Sequence, residues 1–291
     1  MKFVGYEEKY KQDLLFCLKR NVKRFNRFTD DELYQWMRLI LDYPWIDSID
    51  PERYPYRRGV LLLDDNGRVS GFSGAIYSKQ RIGERELTVV NTSISLTDPC
   101  YKYFFFEMYD IIVNSADVTY VVTPNENSVV TTRTLYDAAI IDNPSYLFKP
   151  ASTSTEGFLL SRSIRDAHSA VVMRDHEGCG LECVHIEGKG DGTDVFFNRI
   201  SEVGHRPINA VCVLEVSNPA FFRRYFGVCA CLLSNYGQEY LTTDSRYVDL
   251  AQLPEQYETY PWRRAIVHSP APEAYSFLYT EFVLLTRDCY W

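Results

Sequence analysis

Residues 87–123, LTVVNTSISLTDPCYKYFFFEMYDIIVNSADVTYVVT, constrain this chain more than any other stretch. β-Branched and apolar residues over 87–96 spell a long strand. Asp98-Pro99 forces a sharp exit, because proline cannot donate to a ladder. An apolar segment of helical length follows from about Tyr101 to Val113, then a second β-branched strand over 118–122. A strand–turn–helix–strand unit of this kind aims the first free N–H groups of its helix beyond the strand end. Those donors, together with the positive end of the helix dipole, make a natural anion site.

The chain around this unit has 291 residues, enough for one large or two ordinary domains. Hydrophobic residues make up 46% and charged residues 24%, as in soluble globular proteins. A net charge of −8 and the lack of any long basic run argue against nucleic acid as a partner. The opening MKFVGYEEKYKQ lacks the apolar core of a signal peptide, and no apolar run approaches a membrane span. The expected setting is therefore cytoplasmic and away from membranes, with the eight cysteines reduced. The oligomeric state stays open.

In order, the chain reads as a short strand at 2–6, an amphipathic helix from Lys9 to Phe25, and a second helix from the capping-box start Thr29-Asp30-Asp31-Glu32 to about Leu41. A hairpin turns at Asn66-Gly67 and runs on through Tyr77; after a turn at 81–84 comes the long strand. Thr123-Pro124-Asn125 closes the second strand of the unit, and a helix is expected over 128–139. Residues 149–156, KPASTSTE, have linker composition, so the domain boundary is expected near 150. Beyond it the spacing predicts strands near 157–163, 169–174 and 181–187, a helix over 193–203, a strand over 208–216, a helix over 219–233 and a strand over 240–243. Residues 244–261 read as irregular, and 265–268 and 279–286 as closing strands.

A shift of 120 residues lays the opening unit on a second stretch without a gap. Asp98-Pro99 falls on Asn218-Pro219, Phe106 on Phe226, Tyr120 on Tyr240 and Thr123 on Thr243. Identities are few, so the echo reads either as two copies of one unit or as the chance recurrence of a common arrangement.

Four features of the first half resemble the GNAT superfamily of acyl-CoA-dependent acyltransferases. They are the hairpin running into Val69-Ser70-Gly71-Phe72, the strand Val89 to Leu96 with its Asp98-Pro99-x-Tyr101-Lys102 exit, Thr119 to Asn125 as the second of a splayed strand pair, and Leu135-Tyr136-Asp137-Ala138 on the next helix. The second half, including Leu278 to Leu285, is similar to the tail of long, two-part GNAT-like proteins. The resemblance implies an α/β (α+β) fold, a mixed and mostly antiparallel sheet with flanking helices. It implies a GNAT-like domain over 1–150 and a second, degenerate one over 151–291. It also implies transfer of an acyl group from acetyl-CoA or another acyl-CoA to an amine of a small molecule or amino sugar. The alternative is a GNAT-like fold without catalysis, serving in binding or as a scaffold. The family's glycine-rich pyrophosphate loop is replaced here by Pro99-Cys100-Tyr101-Lys102-Tyr103-Phe104, and its Gly-Phe after the next helix by Ile140-Ile141.

Carried onto these residues, the resemblance makes Cys100, Tyr101, Lys102, Tyr103 and Phe104 the cofactor-binding turn and Tyr136 the acid that protonates the leaving thiolate. Asn91, Thr92 and Ser93 on the open strand are the substrate-facing candidates; their other reading is a polar strand face turned to water. Arg223 and Arg224 hold the equivalent helix start in the echo. His176-x2-Cys179-x3-Cys183-x-His185 offers four metal-ligand types in ten residues, or a strand–turn–strand with Gly178 and Gly180 in its turn. No metal is expected. His205 is a further candidate base, and Glu182, Glu187 and Asp191 are carboxylates without a pairing pattern.

Overall fold

The computed structural model describes residues 1–82, 84–122, 126–203, 206–236, 238–248, 250–268, 276 and 278–280. The chain divides into two compact units. The first takes residues up to Ile141, together with the described closing residues 265–268 and 279–280; the second runs from Asp142 to Arg264 and includes 276 and 278. The division falls at 141/142 rather than near 150, and the exposed segment 149–156 lies wholly inside the second unit.

Unit 1 begins with β1 (Lys2–Gly5), α1 (Lys11–Asn21) and α2 (Asp30–Leu41). The helix expected to reach Phe25 stops at Asn21, whose side chain donates to the Cys17 carbonyl at 2.9 Å; Val22 is extended and a 3-10 turn carries the chain on. α2 starts on the expected capping box: the Thr29 hydroxyl accepts from the Glu32 amide at 3.2 Å, and the Glu32 carboxylate accepts from the Thr29 amide at 2.8 Å. The apolar face of α2, Leu33, Trp36, Met37, Ile40 and Leu41, is buried. Each such side chain contributes about 1.5–3 kcal/mol on leaving water.

The strands that follow are β2 (Val60–Leu63), β3 (Val69–Ile82), β4 (Arg85–Thr97) and β5 (Val118–Val122). β2 and β3 form the hairpin read from Asn66-Gly67, where Gly67 adopts φ +76°. α3 (Phe104–Val113) joins β4 to β5, and α4 (Glu126–Tyr136) follows. The sheet runs β1-β2-β3-β4-β5 and continues into residues 265–268, which pair antiparallel with β5 from Ala265↔Val122 to His268↔Thr119. Among the described residues of this unit β4 and β5 pair in parallel, and the other pairs are antiparallel.

Unit 2 contains β6 (Ala139–Phe148), which starts in unit 1, then β7 (Phe158–Ser161), α5 (Ala167–Asp175), β8 (Glu182–Gly188), β9 (Asp191–Val203) and β10 (Arg206–Val216). α6 (Pro219–Arg224), α7 (Phe226–Ser234), β11 (Tyr240–Asp244) and β12 (Tyr257–His268) complete it, with β12 crossing back into unit 1. The strand order is β6-β11-β10-β9-β8-β7. Its core packs Val184, Ile186, Val195, Phe197, Val211 and Val213 against Phe222, Phe226 and Leu233 of α6 and α7.

Two elements reverse the sequence reading. Residues 169–174 are helical, not extended, because the Asp166 side chain accepts from the Ser169 amide at 2.7 Å and nucleates α5. Residues 193–203 are a strand, not a helix: β9 lies between β8 and β10, so its apolar residues form a near-continuous run that imitates helical spacing. Strand β12 also starts at Tyr257, within a stretch read as irregular. The closing strand expected over 279–286 falls mostly outside the described residues, as do Thr123, Asn125 and His205. No helix among the described residues is long and apolar enough to cross a membrane.

Buried phenols set an alkaline limit. Burial pushes the Tyr77 and Tyr109 hydroxyls up to about 12. The folded chain therefore holds these protons more tightly than the unfolded chain. Their contribution is complete below the unfolded value of about 10 and is lost as the pH climbs toward 12. The urea midpoint is expected to fall across that window; a midpoint constant from pH 9 to 12 overturns the assignment.

Candidate functional site

The site grows from the end of the described β4–β5 ladder. Among the described residues the parallel pairs run from Val89↔Val118 to Thr92↔Val121, next to the last described residue of β5, while β4 continues to Thr97 beside β3. Just past the last pair, the register with β3 jumps from Gly74↔Ser93 to Ser73↔Ser95, leaving Ile94 as an extra residue. A bulge of this kind bends its strand and sharpens the twist.

Asn91, Thr92 and Ser93 stand at this point, and all three are buried. The reading of a polar face turned to water does not hold. Asn91 Nδ2 and Thr92 Oγ1 donate to the Tyr120 carbonyl of β5 at 3.4 and 3.3 Å. These side chains hold the strands together at the end of the described ladder.

Two helices meet there. The Tyr109 hydroxyl of α3 lies in hydrogen-bonding reach of Thr92 on β4 and Thr132 on α4. Its ring packs on that of Tyr136 with centroids 5.0 Å apart. The Tyr136 hydroxyl donates to Asp110 on α3. Partial burial, reinforced by that carboxylate, pushes the Tyr136 hydroxyl above its usual value, so the phenol keeps its proton through neutral pH.

The turn from β4 into α3 is held from behind. Asp98 is buried and accepts from Arg20 Nε at 2.9 Å and Asn21 Nδ2 at 2.7 Å, with a second bond from Arg20 Nη2. Its amide donates to the Ser70 carbonyl at 2.8 Å. Pro99–Tyr101 then make a single 3-10 turn, and α3 starts with no side chain capping its amides, unlike α2.

The five predicted cofactor residues sit together on this turn. Cys100, Lys102 and Tyr103 are exposed, Tyr103 at 74%, while Tyr101 and Phe104 are half-buried. Phe104 packs on Phe3 of β1 and on Tyr101, with centroids 6.3 and 6.4 Å away. Lys102 Nζ lies 5.2 Å from the Tyr103 ring. The aromatics thus pack toward β1 or face solvent, and the Phe105 amide donates to the Lys102 carbonyl at 3.3 Å.

The other sequence candidates do not assemble into sites. His176 sits between the Val172 and Leu278 carbonyls, at 2.8 and 2.5 Å. Burial lowers its basicity, and burial also pushes the Cys183 thiol up to about 12. His185 bonds Asp194 instead, and among the described residues no three ligand-type side chains gather for a metal. Arg223 and Arg224 are exposed, and α6 beside them is only 6 residues long. Sequence reasoning missed Tyr109, Asp110 and Thr132. The one signal was Tyr109-Asp110 as a polar break in a helix that is apolar apart from Glu107.

No family model matches this sequence, and no curated protein matches it. Solved structures do. A GCN5-related N-acetyltransferase from Kribbella flavida is 12% identical with a TM-score of 0.55, over 91% of this chain and 71% of that one. Another from Anabaena variabilis ATCC 29413 is 11% identical with a TM-score of 0.54, over 91% and 72%.

The chain has the GNAT fold. The echo sharpens this finding. In unit 2 the parallel pair β10–β11 ends at Cys212↔Thr242, and the register with β9 jumps between Val213 and Glu215, leaving Leu214 extra. Leu214 lies 120 residues after Ile94, so a bulge recurs at the shift read from the sequence.

Asp98 is the lock on the turn. Asp98→Ala removes the buried carboxylate that Arg20 and Asn21 share and is expected to lower stability by about 2 kcal/mol. A melting curve unchanged by the substitution counts against this role.

Proposed function

We propose that unit 1 transfers an acyl group, with acetyl as the leading candidate, from acyl-CoA to an amine of a small molecule or amino sugar. The observation that supports this most is the short parallel β4–β5 pairing, whose last described pair Thr92↔Val121 lies beside the Ile94 bulge, followed in sequence by the start of α3, which no side chain caps. An open strand edge accepts an extended, amide-bearing chain by continuing the ladder, and the pantetheine arm is such a chain. The amides at the start of α3 and Lys102 are suited to the pyrophosphate. The naming of both structural neighbours as N-acetyltransferases agrees with this reading.

In the reaction, the free amine adds to the thioester carbonyl carbon. The C–N bond forms, the C–S bond breaks, the amine proton leaves to solvent, and charge develops on the CoA sulfur. Backbone N–H groups of β4 past Ser93 are placed to polarise the carbonyl. Tyr136 serves the sulfur. Because its hydroxyl is held above its ordinary value, full proton transfer to a thiolate is uphill. Its part is to donate a hydrogen bond as the thiolate forms, with solvent completing the protonation. We place this chemistry in the cytoplasm, where acyl-CoA is supplied.

Acetyl-CoA at 100 times its dissociation constant is expected to stabilise the protein by about 2.7 kcal/mol. No thermal shift with millimolar acetyl-CoA or longer acyl-CoAs overturns the proposal and leaves a non-catalytic GNAT-like protein. Where binding is seen, Tyr136→Phe should retain it while lowering kcat roughly 100-fold. Full turnover in that variant removes Tyr136 from the mechanism.

A further inference from the structure

The sheet of unit 2 ends on β7, and among the described residues no strand pairs with its outer side. This edge lacks the usual guards against pairing. Phe158-Leu159-Leu160-Ser161 holds no charge and no proline, and its register with β8 runs without a bulge. Leu159 faces solvent and is 66% exposed. Phe158 and Leu160 turn the other way and pack against the core, yet each is only partly covered. The outer strand of unit 1 differs: β1 is preceded by the Met1 ammonium, held by Asp65 at 2.8 Å, and opens with Lys2.

The backbone decides which groups look outward. In an antiparallel ladder a residue sends its N–H and C=O to one side, and its neighbours send theirs to the other. The Phe158 amide donates to the Thr155 carbonyl at 3.0 Å instead of entering the ladder. Phe158 and Leu160 therefore turn their peptide groups away from β8, while Leu159 and Ser161 bond it. The hairpin of β8 and β9 agrees. Its two-residue turn, Lys189-Gly190 with φ +55° and +84°, closes on the pair Gly188↔Asp191, so Gly188 bonds β9 and Glu187 is left for Leu159. The outer edge thus presents the Phe158 carbonyl and both peptide groups of Leu160.

Charge makes this edge complementary to itself. Glu156 lies three residues before Leu159, and Arg162 three residues after it. Both are exposed, and among the described residues neither is in an ion pair. Arg162 rests over the Tyr236 ring, 6.0 Å from its centroid. Two copies of the strand laid antiparallel about a two-fold axis at Leu159 set each Glu156 opposite an Arg162 and each Phe158 opposite a Leu160. In that register the Leu160 amide of either copy meets the Phe158 carbonyl of the other. Leu159 meets its own copy at a non-hydrogen-bonded position, where side chains come closest. Moving the axis by one residue sets Glu156 opposite Leu160 or Ile164 instead.

We propose that two copies of this chain associate edge to edge through β7, by antiparallel pairing centred on Leu159. Two four-residue strands bury far less area than a permanent dimer needs, so the association is weak, with a dissociation constant of about 100 μM. This contact is independent of acyl transfer in unit 1.

The test is sedimentation velocity of the full chain, from roughly tenfold below that value to tenfold above it, with amide exchange followed over the same range. The expected result is a monomer–dimer equilibrium that follows concentration. Exchange at the Leu160 amide slows in step with the dimer, while that at Leu159 stays constant. Leu159→Lys sets two ammonium groups against each other and abolishes the dimer. Glu156→Arg and Arg162→Glu each weaken it roughly tenfold or more, and the two together restore it. All three positions are exposed, and an unchanged melting curve verifies that each variant keeps the fold. A single monomer boundary at every concentration, a dimer that survives Leu159→Lys, a Leu160 amide blind to concentration, or failure of the double reversal to restore the dimer each overturns the proposal.

Discussion

The parallel pairing of β4 with β5 is the constraint on which unit 1 depends. Parallel neighbours need a crossover, and here α3 provides it within one short turn of the strand end. Four residue pairs hold the strands, and Asn91 and Thr92 reinforce them by reaching across to the Tyr120 carbonyl. Beyond that point the Ile94 bulge interrupts the register with β3, a few residues before the chain enters α3.

The anchoring is one-sided. Asp98 is gripped by α1 through Arg20 and Asn21, while Tyr109, Asp110, Thr132 and Tyr136 tie α3 to α4. Glycines would let the backbone approach a ligand by having no side chains. Here side chains are present but turned away, Phe104 toward Phe3 and Tyr103 into solvent.

Much of this was legible in the sequence where local chemistry decides the structure. The Thr29–Glu32 capping box, the Asn66-Gly67 turn and the Asp98-Pro99 exit each act within a few residues, and each stands as read. The 120-residue shift also lays the Ile94 bulge on that at Leu214, which no residue type announces. What escaped was decided by neighbours in space. β9 looked helical because both of its faces are covered, and α5 looked extended until Asp166 capped it. Tyr109 gains its place only when Thr92 and Thr132, distant in sequence, arrive beside it. Likewise His185 resembled a metal ligand until register set it opposite Asp194.

The last strand of unit 1 comes from residues 265–268, after all of unit 2 has been threaded. Unit 2 is in effect an insertion between β5 and its final partner. A ribosome releasing this chain exposes the first unit with the β5 edge open, carrying Val118 and Tyr120, which are buried in the finished protein. An open apolar edge is a template for wrong pairing. Maturation of the N-terminal unit therefore waits on the C-terminal end of the chain. Premature termination anywhere before residue 265 would leave a sticky half-sheet rather than a smaller working domain.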